Sequence, residues 1–514
     1  METSPDGTWI AETPDGVVVA RVRTGEVLVD RPSRRTFREP EPPEFEDGRL
    51  VVDGVVLGRV APLPARLAEL TGWYGYDGRR ILLTQVPEAY FGEPMVLVAE
   101  GERVVRAYAV GEGRLLTEEG ESIDLADDWL LRVTDRGEVV TLPRWSHRRE
   151  EEVTFTVGDV LLAGTVILPP GPGPHPAAVL LHGAAGGQRD FCRLHADPIL
   201  AAGVAVLIYD KAGHGLSGGR EPSVFDQADA GEAAMRELAR HPGIDPARIG
   251  LAGFSNGMWA VPMIAARTGA AFVTGVGSAG VSMGEAEVHR RTKVLRDAGV
   301  GTATVAAVGE AWRCIFAIVG EGATGPVRHR LRLALDAIAA APDLGLYEIP
   351  DYVRENPMLS PIPPLLPVAA LIELLGDTRD PEVTYDPVTD YAELDCPVFL
   401  QYGADDTSVP VEVSVERIRR AIAGAGRESE IRVYPGLEHM LNVLPADLTG
   451  LTPEGAMYQF HHFRYGQGVW AELTAWLRAT VADTDGMPDT ERRSGARGVQ
   501  NSRSVGSSRP RRAS

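Results

Sequence analysis

The sequence predicts an α/β fold: a mostly parallel sheet with helices on both faces, a helical cap insertion, and an N-terminal β-rich domain. Three observations predict it. From Glu151 onward, apolar runs of strand length alternate with helix-like runs, the signature of a parallel sheet covered on both faces. Between about Val281 and Leu394 the alternation stops and the periodicity is helical throughout. Residues 1–150 carry short β-branched runs closed by Gly, Asp or Pro.

In chain order, residues 1–150 are read as a small β domain, a barrel or a sandwich. Its strands are Gly16–Arg23, Gly25–Asp30, Arg80–Gln85, Glu102–Val110 and a hairpin turning at Asp53-Gly54. Pro62–Glu69 is a short helix and Pro32–Glu46 a loop. No chemistry is legible in this part, so it is expected to pack, or to support a lid or substrate binding. Residues 151–280 form the first part of the core. They hold a ribbon over Val153–Leu168, the strand His175–Leu181, a helix near Phe191–Ala202, the strand Val204–Tyr209, the helix Val224–Arg240, the strand Ile249–Ala252, a helix after Ser255 and the strand Ala271–Val276. Residues 281–394 are the insertion, with helices over Glu285–Asp297, Val305–Val319 and Arg328–Ala341. It ends in an apolar, proline-rich run over Pro361–Leu375, which either lines an acyl-binding cleft or packs on the core. Residues 395–485 complete the sheet with strands at Cys396–Gly403 and Glu430–Tyr434 and a last helix over Val469–Val481. Residues 486–514, rich in Arg, Ser and Gly with almost no apolar side chains, are expected to be disordered.

Composition narrows the function classes. A net charge of −21 argues against nucleic acid or an anionic membrane as partner. Only Lys211 and Lys293 are lysines. The three cysteines, Cys192, Cys314 and Cys396, are widely spaced and odd in number, so they suggest neither a disulfide framework nor a zinc site. The first residues lack the basic and apolar regions of a signal peptide, and no uninterrupted apolar stretch approaches the roughly 18 residues that span a membrane. A cytoplasmic protein with no cofactor and no metal is expected, acting on a small-molecule acyl substrate.

The chemistry concentrates in three segments. Ser255 lies in Gly253-Phe-Ser-Asn-Gly257, between a predicted strand and a predicted helix. A serine hydroxyl is a weak nucleophile unless an imidazole takes its proton and a carboxylate orients that imidazole. His439 follows the last strand, in Tyr434-Pro-Gly-Leu-Glu-His. Asp406 follows the strand before it, in Gly403-Ala-Asp-Asp-Thr-Ser. Loops at the C-terminal ends of neighbouring strands converge, so the three side chains are expected to meet. Asp405 competes with Asp406, which is preferred as the acid, with Asp405 bracing the loop. Glu438 is expected to point away into solvent. Two backbone donors are expected to hold an oxyanion, the amide of Asn256 and that of Ala184 in His182-Gly-Ala-Ala-Gly-Gly187. A phosphate loop is the rival reading of that glycine-rich run, but the Lys-Ser/Thr ending is missing.

With Leu161–Pro169, His175–Gly183, Gly203–Gly218 and Ile249–Gly257, these residues resemble the α/β-hydrolase superfamily over roughly Val153–Val481. The chain looks most like bacterial esterases related to dienelactone hydrolases and to prolyl-oligopeptidase-type serine hydrolases. The resemblance implies Ser255 as nucleophile, Asp406 as acid and His439 as base. The chain departs from the common pattern at Phe254, where His is frequent, at Met258, where a second glycine is common, and at Ala212, where Arg is frequent. These positions shape walls rather than supply reacting groups.

The reading is an ester, thioester or lactone hydrolase working through an acyl-enzyme. Peptidase or amidase activity, and acyl transfer or cyclisation in secondary metabolism, use the same chemistry. A non-catalytic binding protein on the same fold is the alternative of a different class.

Overall fold

The computed structural model describes residues 7–483 except 14–15, 24–25, 32–35, 38–43, 47–48, 53–54, 61–69, 77–78, 87–94, 112, 135–136, 146–148, 185–186, 298, 342–362, 376–378, 428 and 444–464. The helix expected over 62–69, the turn at 53–54, most of the loop at 32–46, the start of the run at 361–375 and the tail at 486–514 lie outside the described residues.

Two antiparallel sheets make up the β-rich N-terminal region. A seven-stranded sheet runs between residues 7 and 59. An eight-stranded meander, in which every strand pairs with the next, runs from Gly72–Tyr76 to Val139–Pro143. The meander curls back on itself: Tyr74 bridges Arg144, and the Trp145 N–H donates to the Trp73 carbonyl at 2.8 Å. Over residues 81–84 and 96–99 both of its faces are buried, which the period-2 alternation of strands makes possible. Tyr74, Ile81, Leu83, Val96 and Val98 point into one cluster. Their neighbours Trp73, Leu82 and Leu97 pack with Phe191, Leu194 and Trp470 of the following region.

That region is one sheet of eight strands: β1 (Arg149–Val157), β2 (Val160–Leu168), β3 (His175–Leu181), β4 (Ala205–Tyr209), β5 (Ile244–Phe254), β6 (Val273–Val276), β7 (Val398–Gly403) and β8 (Ser429–Tyr434). Their order is β1-β2-β4-β3-β5-β6-β7-β8. β1 and β2 form an antiparallel ribbon, β2 pairs antiparallel with β4, and every later pair is parallel. Residues 205–209 and 398–403 are buried throughout, as a strand covered on both faces requires. Helices α1 (Arg193–Ala201), α2 (Val224–Leu238) and α3 (Gly257–Thr268) follow β3, β4 and β5. Leu181, Ala234 and Ile264 pack on one side of the sheet, and Leu180, Leu194 and Leu477 on the other. A capping box between Ser223 and Asp226 starts α2, and Gly269, at φ 67°, ends α3.

The insertion between β6 and β7 contributes α4 (Met283–Asp297), α5 (Thr302–Gly320), α6 (Gly325–Ala339) and α7 (Val368–Leu375). These share a core of their own around Val308, Ile315, Leu331 and Leu371. By length and composition α5 could cross a membrane, but Val308, Ala311 and Ile315 are buried in that core. The apolar run departs from expectation. Among its described residues only Leu371 is fully buried within α7, while Leu365 and Leu374 are exposed, and none lines the cavity at Ser255. Among the described residues the last two helices are α8 (Val411–Gly424) and α9 (Val469–Asp483). At the start of α9 the Glu102 carboxylate accepts the N–H groups of Gly468 (2.7 Å) and Trp470 (2.9 Å), so a side chain of the β-meander binds the N-terminal end of a core helix.

Candidate active site

Register explains why distant residues meet. Leu181 of β3 lies beside Gly253 of β5, Phe254 beside Val276 of β6, and Gly403 of β7 beside Tyr434 of β8. The loops leaving these strands therefore emerge side by side.

Ser255 occupies the sharp turn between β5 and α3, with φ 51°, a left-handed conformation that costs a non-glycine residue about 1–2 kcal/mol. Its N–H donates to the Val276 carbonyl at 2.9 Å, which fixes the turn against β6. Gly257 permits the close approach of α3: a Cβ there would lie 2.6 Å from the His182 carbonyl oxygen and 2.9 Å from that of Leu181. Met258, where a second glycine is common in the resembling family, folds its thioether over Gly253 and Gly275, which have no side chains to obstruct it. Phe254 stacks on the buried ring of His195 with centroids 4.2 Å apart.

The structure brings Ser255, His439 and Asp406 together. His439 Nε2 is 2.8 Å from Ser255 Oγ, and His439 Nδ1 is 2.7 Å from Asp406 Oδ2. The other carboxylate oxygen of Asp406 accepts the N–H groups of Ser408 (2.7 Å) and Val409 (2.9 Å). Asp406 is buried and Asp405 exposed, so only Asp406 reaches the imidazole. Burial by itself lowers the His439 pKa. The charge and hydrogen bond of Asp406 and the charge of Glu438 outweigh it and hold the group above its ordinary value.

Asn256 and Ala184 both line the cavity at Ser255. The Asn256 side chain is tied back by Gln227, whose Nε2 donates to its Oδ1 at 2.9 Å. Its backbone begins α3, where N–H groups lack partners within the helix. Gly183 brings the other loop against the elbow, since a Cβ there would lie 3.3 Å from that of Ser255. The cavity is about 260 Å³. Phe191, Trp259 and Met440 form its apolar walls, and Met283, Ala286 and Arg290 of α4 form part of its lining from the insertion. Arg290 is paired with Glu287 at 2.7 Å. Among the described residues no group of His, Cys, Asp and Glu is arranged to hold a metal ion.

Glu438 departs from the expectation of a solvated charge. It is buried, and its Oε1 accepts the N–H groups of Met440 (2.9 Å) and Asn442 (3.0 Å). That brace holds a turn in which Leu441 adopts φ 63°. A turn closing on itself directs the side chain inward, a reversal that adjacency to His439 in the sequence does not reveal. Burial raises the Glu438 pKa to about 7, against the opposing effect of His439. The unfolded chain therefore loses this proton near pH 4.5 while the folded chain keeps it, so stability falls as pH rises from about 4.5 to about 7. Urea titrations of Glu438→Gln are expected to lack that decline relative to the wild type. An identical pH dependence would show that Glu438 does not titrate this way. Gly277 was also invisible as a site residue: a Cβ there would lie 2.7 Å from His439 Cε1, so the missing side chain makes room for the imidazole.

Residues 178–450, more than half of the chain, match the alpha/beta hydrolase family. Over 93 residues, 18% of its length, the chain is 40% identical to a Salmonella typhimurium protein named "Putative carboxymethylenebutenolidase". It is 37% identical over 93 residues to an Escherichia coli K12 protein of the same name. The chain spans about a third of the length of these curated relatives, 31% in each case. Similar solved structures include an esterase of Pyrococcus furiosus (16% identity, TM-score 0.39, 65% of this chain and 91% of that one). Another is a proline iminopeptidase of Mycobacterium smegmatis (17% identity, TM-score 0.37, 65% and 100%). By the extent of the family match, the chain belongs to the alpha/beta hydrolase family.

Proposed function

We propose that the protein is a serine hydrolase that cleaves a carboxylic ester, thioester or lactone through an acyl-enzyme on Ser255. The observation that carries this reading is the unbroken relay from Ser255 Oγ to His439 Nε2 (2.8 Å) and from His439 Nδ1 to Asp406 (2.7 Å). His439 takes the hydroxyl proton as Ser255 Oγ bonds to the acyl carbon. The amides of Asn256 and Ala184 stabilise the negative oxygen, and Asp406 stabilises the imidazolium. Collapse of the tetrahedral intermediate breaks the carbon–oxygen or carbon–sulfur bond, and the leaving oxygen or sulfur takes the proton from His439; an alcohol or thiol then departs, while an opened lactone keeps its hydroxyl on the acyl-enzyme. Water, deprotonated by His439, then attacks the acyl-enzyme and releases the acid. The apolar walls at Phe191, Trp259 and Met440 suit an apolar acyl or alkoxy group.

A fluorophosphonate probe tests the nucleophile. Wild-type protein is expected to gain one phosphonyl adduct by intact-mass measurement, on the peptide containing Ser255, and Ser255→Ala to gain none. Equal labelling of the two would remove Ser255 from the mechanism.

A further inference from the structure

The chain has only two lysines, and one of them, Lys211, is 2% exposed, an uncommon placement for this residue type. It lies in the turn after β4, which borders β3 in the sheet. Its Nζ donates to the Gly183 carbonyl at 2.7 Å and more weakly to the Ala184 carbonyl at 3.5 Å. Among the described residues the carboxylate nearest to it, Glu221, is 3.9 Å away and largely exposed. The shortest contact of this buried cation is therefore to the backbone of the loop that approaches Ser255.

The rest of the turn holds the same loop. Lys211 N–H donates to the Gly187 carbonyl at 2.8 Å. Asp210 Oδ1 accepts the Arg189 N–H at 2.8 Å, and its Oδ2 accepts the Leu216 N–H at 2.9 Å. The loop is thus tied at Arg189 and Gly187 and, through the Lys211 ammonium, at Gly183.

A planar trans peptide sends its C=O and its N–H in opposite directions. The carbonyl of Gly183 and the N–H of Ala184 belong to one such peptide. With the carbonyl held by Lys211, the N–H faces the other way. Gly183 and Ala184 both line the cavity at Ser255, and a Cβ added to Gly183 would lie 3.3 Å from that of Ser255.

We propose that Lys211 is a positioning residue for the oxyanion: by clamping the Gly183 carbonyl it turns the Ala184 N–H toward the carbonyl oxygen of an acyl group on Ser255. This inference rests on Ser255 as the nucleophile. Lys211 does not touch the substrate and moves no proton. It fixes a peptide that would otherwise be free to rotate, so that the donor is in place before negative charge develops. The neighbouring Gly183 and Ala184 offer no side chains that could hold the peptide in its place.

The test uses the full-length protein, a short-chain nitrophenyl ester and a trifluoromethyl ketone, which forms an oxyanionic adduct with a reactive serine. Lys211→Met is expected to lower kcat by about 100-fold, with KM within about threefold of wild type. Affinity for the ketone is expected to weaken by the same factor as kcat/KM, a parallel that loss of a merely structural contact would not produce. Lys211→Gln, which keeps a neutral donor, is expected to recover part of the loss, and it carries the comparison if the methionine variant does not fold. A folded variant with kcat and ketone affinity within about threefold of wild type overturns the proposal. So does a variant in which only KM changes. Ser255→Ala separates the two readings. If it is inactive while the Lys211 variants are fully active, only the role of Lys211 fails; if it retains turnover, the nucleophile assignment fails and the Lys211 proposal falls with it.

Discussion

Turnover of a short-chain nitrophenyl ester is expected to fall by about 10⁴- to 10⁶-fold when His439 is replaced by glutamine. Glutamine occupies a similar volume and can hydrogen-bond to Asp406, but it cannot accept the Ser255 proton at neutral pH. On the proposed chemistry, the neutral imidazole is the active form in the free enzyme. Burial alone would lower its pKa, but pairing with Asp406 and the charge of Glu438 hold it above the ordinary 6.5. Wild-type kcat/KM should therefore decline as pH falls, with a midpoint above 6.5. Asp406→Asn should cost about 10⁴-fold at neutral pH by favouring the wrong tautomer, and should move the residual midpoint downward. The same pair has a signature in stability. A raised histidine pKa contributes stability that is complete below the unfolded value and is lost as pH rises through the folded value. Urea unfolding of wild type against Asp406→Asn, measured on both sides of that window, reads this contribution independently of catalysis. Retention of more than about 1% of wild-type turnover by His439→Gln would exclude it as the general base.

The sequence carried the parts of this arrangement that are periodic or local. The alternation of strands and helices, the helical insertion and the order Ser255, Asp406, His439 are one-dimensional patterns, and the strand ends that follow from them predict convergence. Asp406 was distinguishable from Asp405 only by preference, because choosing between adjacent carboxylates depends on which way a turn closes. Glu438 is hidden in the sequence for the same reason: a charged residue next to a loop histidine looks solvated until the turn at Leu441, with its positive φ, folds the carboxylate onto backbone amides. Lys211 is unusual in composition, but its partner is a main-chain carbonyl 28 residues earlier, which no side-chain pattern encodes. The apolar run over residues 361–375 is open in sequence to two readings, a cleft lining or packing on the core; the exposure of Leu365 and Leu374, while Leu371 packs within the insertion, shows that hydrophobicity alone does not say which surface a segment covers.

Gly403→Ala is expected to lower kcat by about 100-fold or more, although residue 403 has no side chain and touches no substrate. Gly403 ends β7, where the loop carrying His439 crosses it, and an added Cβ would overlap the carbonyl oxygens of Leu437 and Glu438. These are backbone atoms two positions and one position before the imidazole, so no rotamer change can relieve the overlap. Either β7 retreats, moving Asp406 three residues on, or the loop retreats, moving His439. Both responses lengthen the relay that measures 2.7 Å and 2.8 Å in the native arrangement. Overpacking of this kind also costs about 1–3 kcal/mol of stability, so Tm should drop by several degrees. Gly424→Ala provides the contrast, because a Cβ at the end of α8 meets nothing within 4 Å. It should leave kcat unchanged and stability unchanged or slightly higher. The two variants add the same methyl group to the same chain, so a difference between them measures the contact with the His439 loop rather than the loss of a glycine. Wild-type kcat in Gly403→Ala would mean that this loop can shift without disturbing the imidazole, and that the close crossing at β7 plays no part in setting the relay.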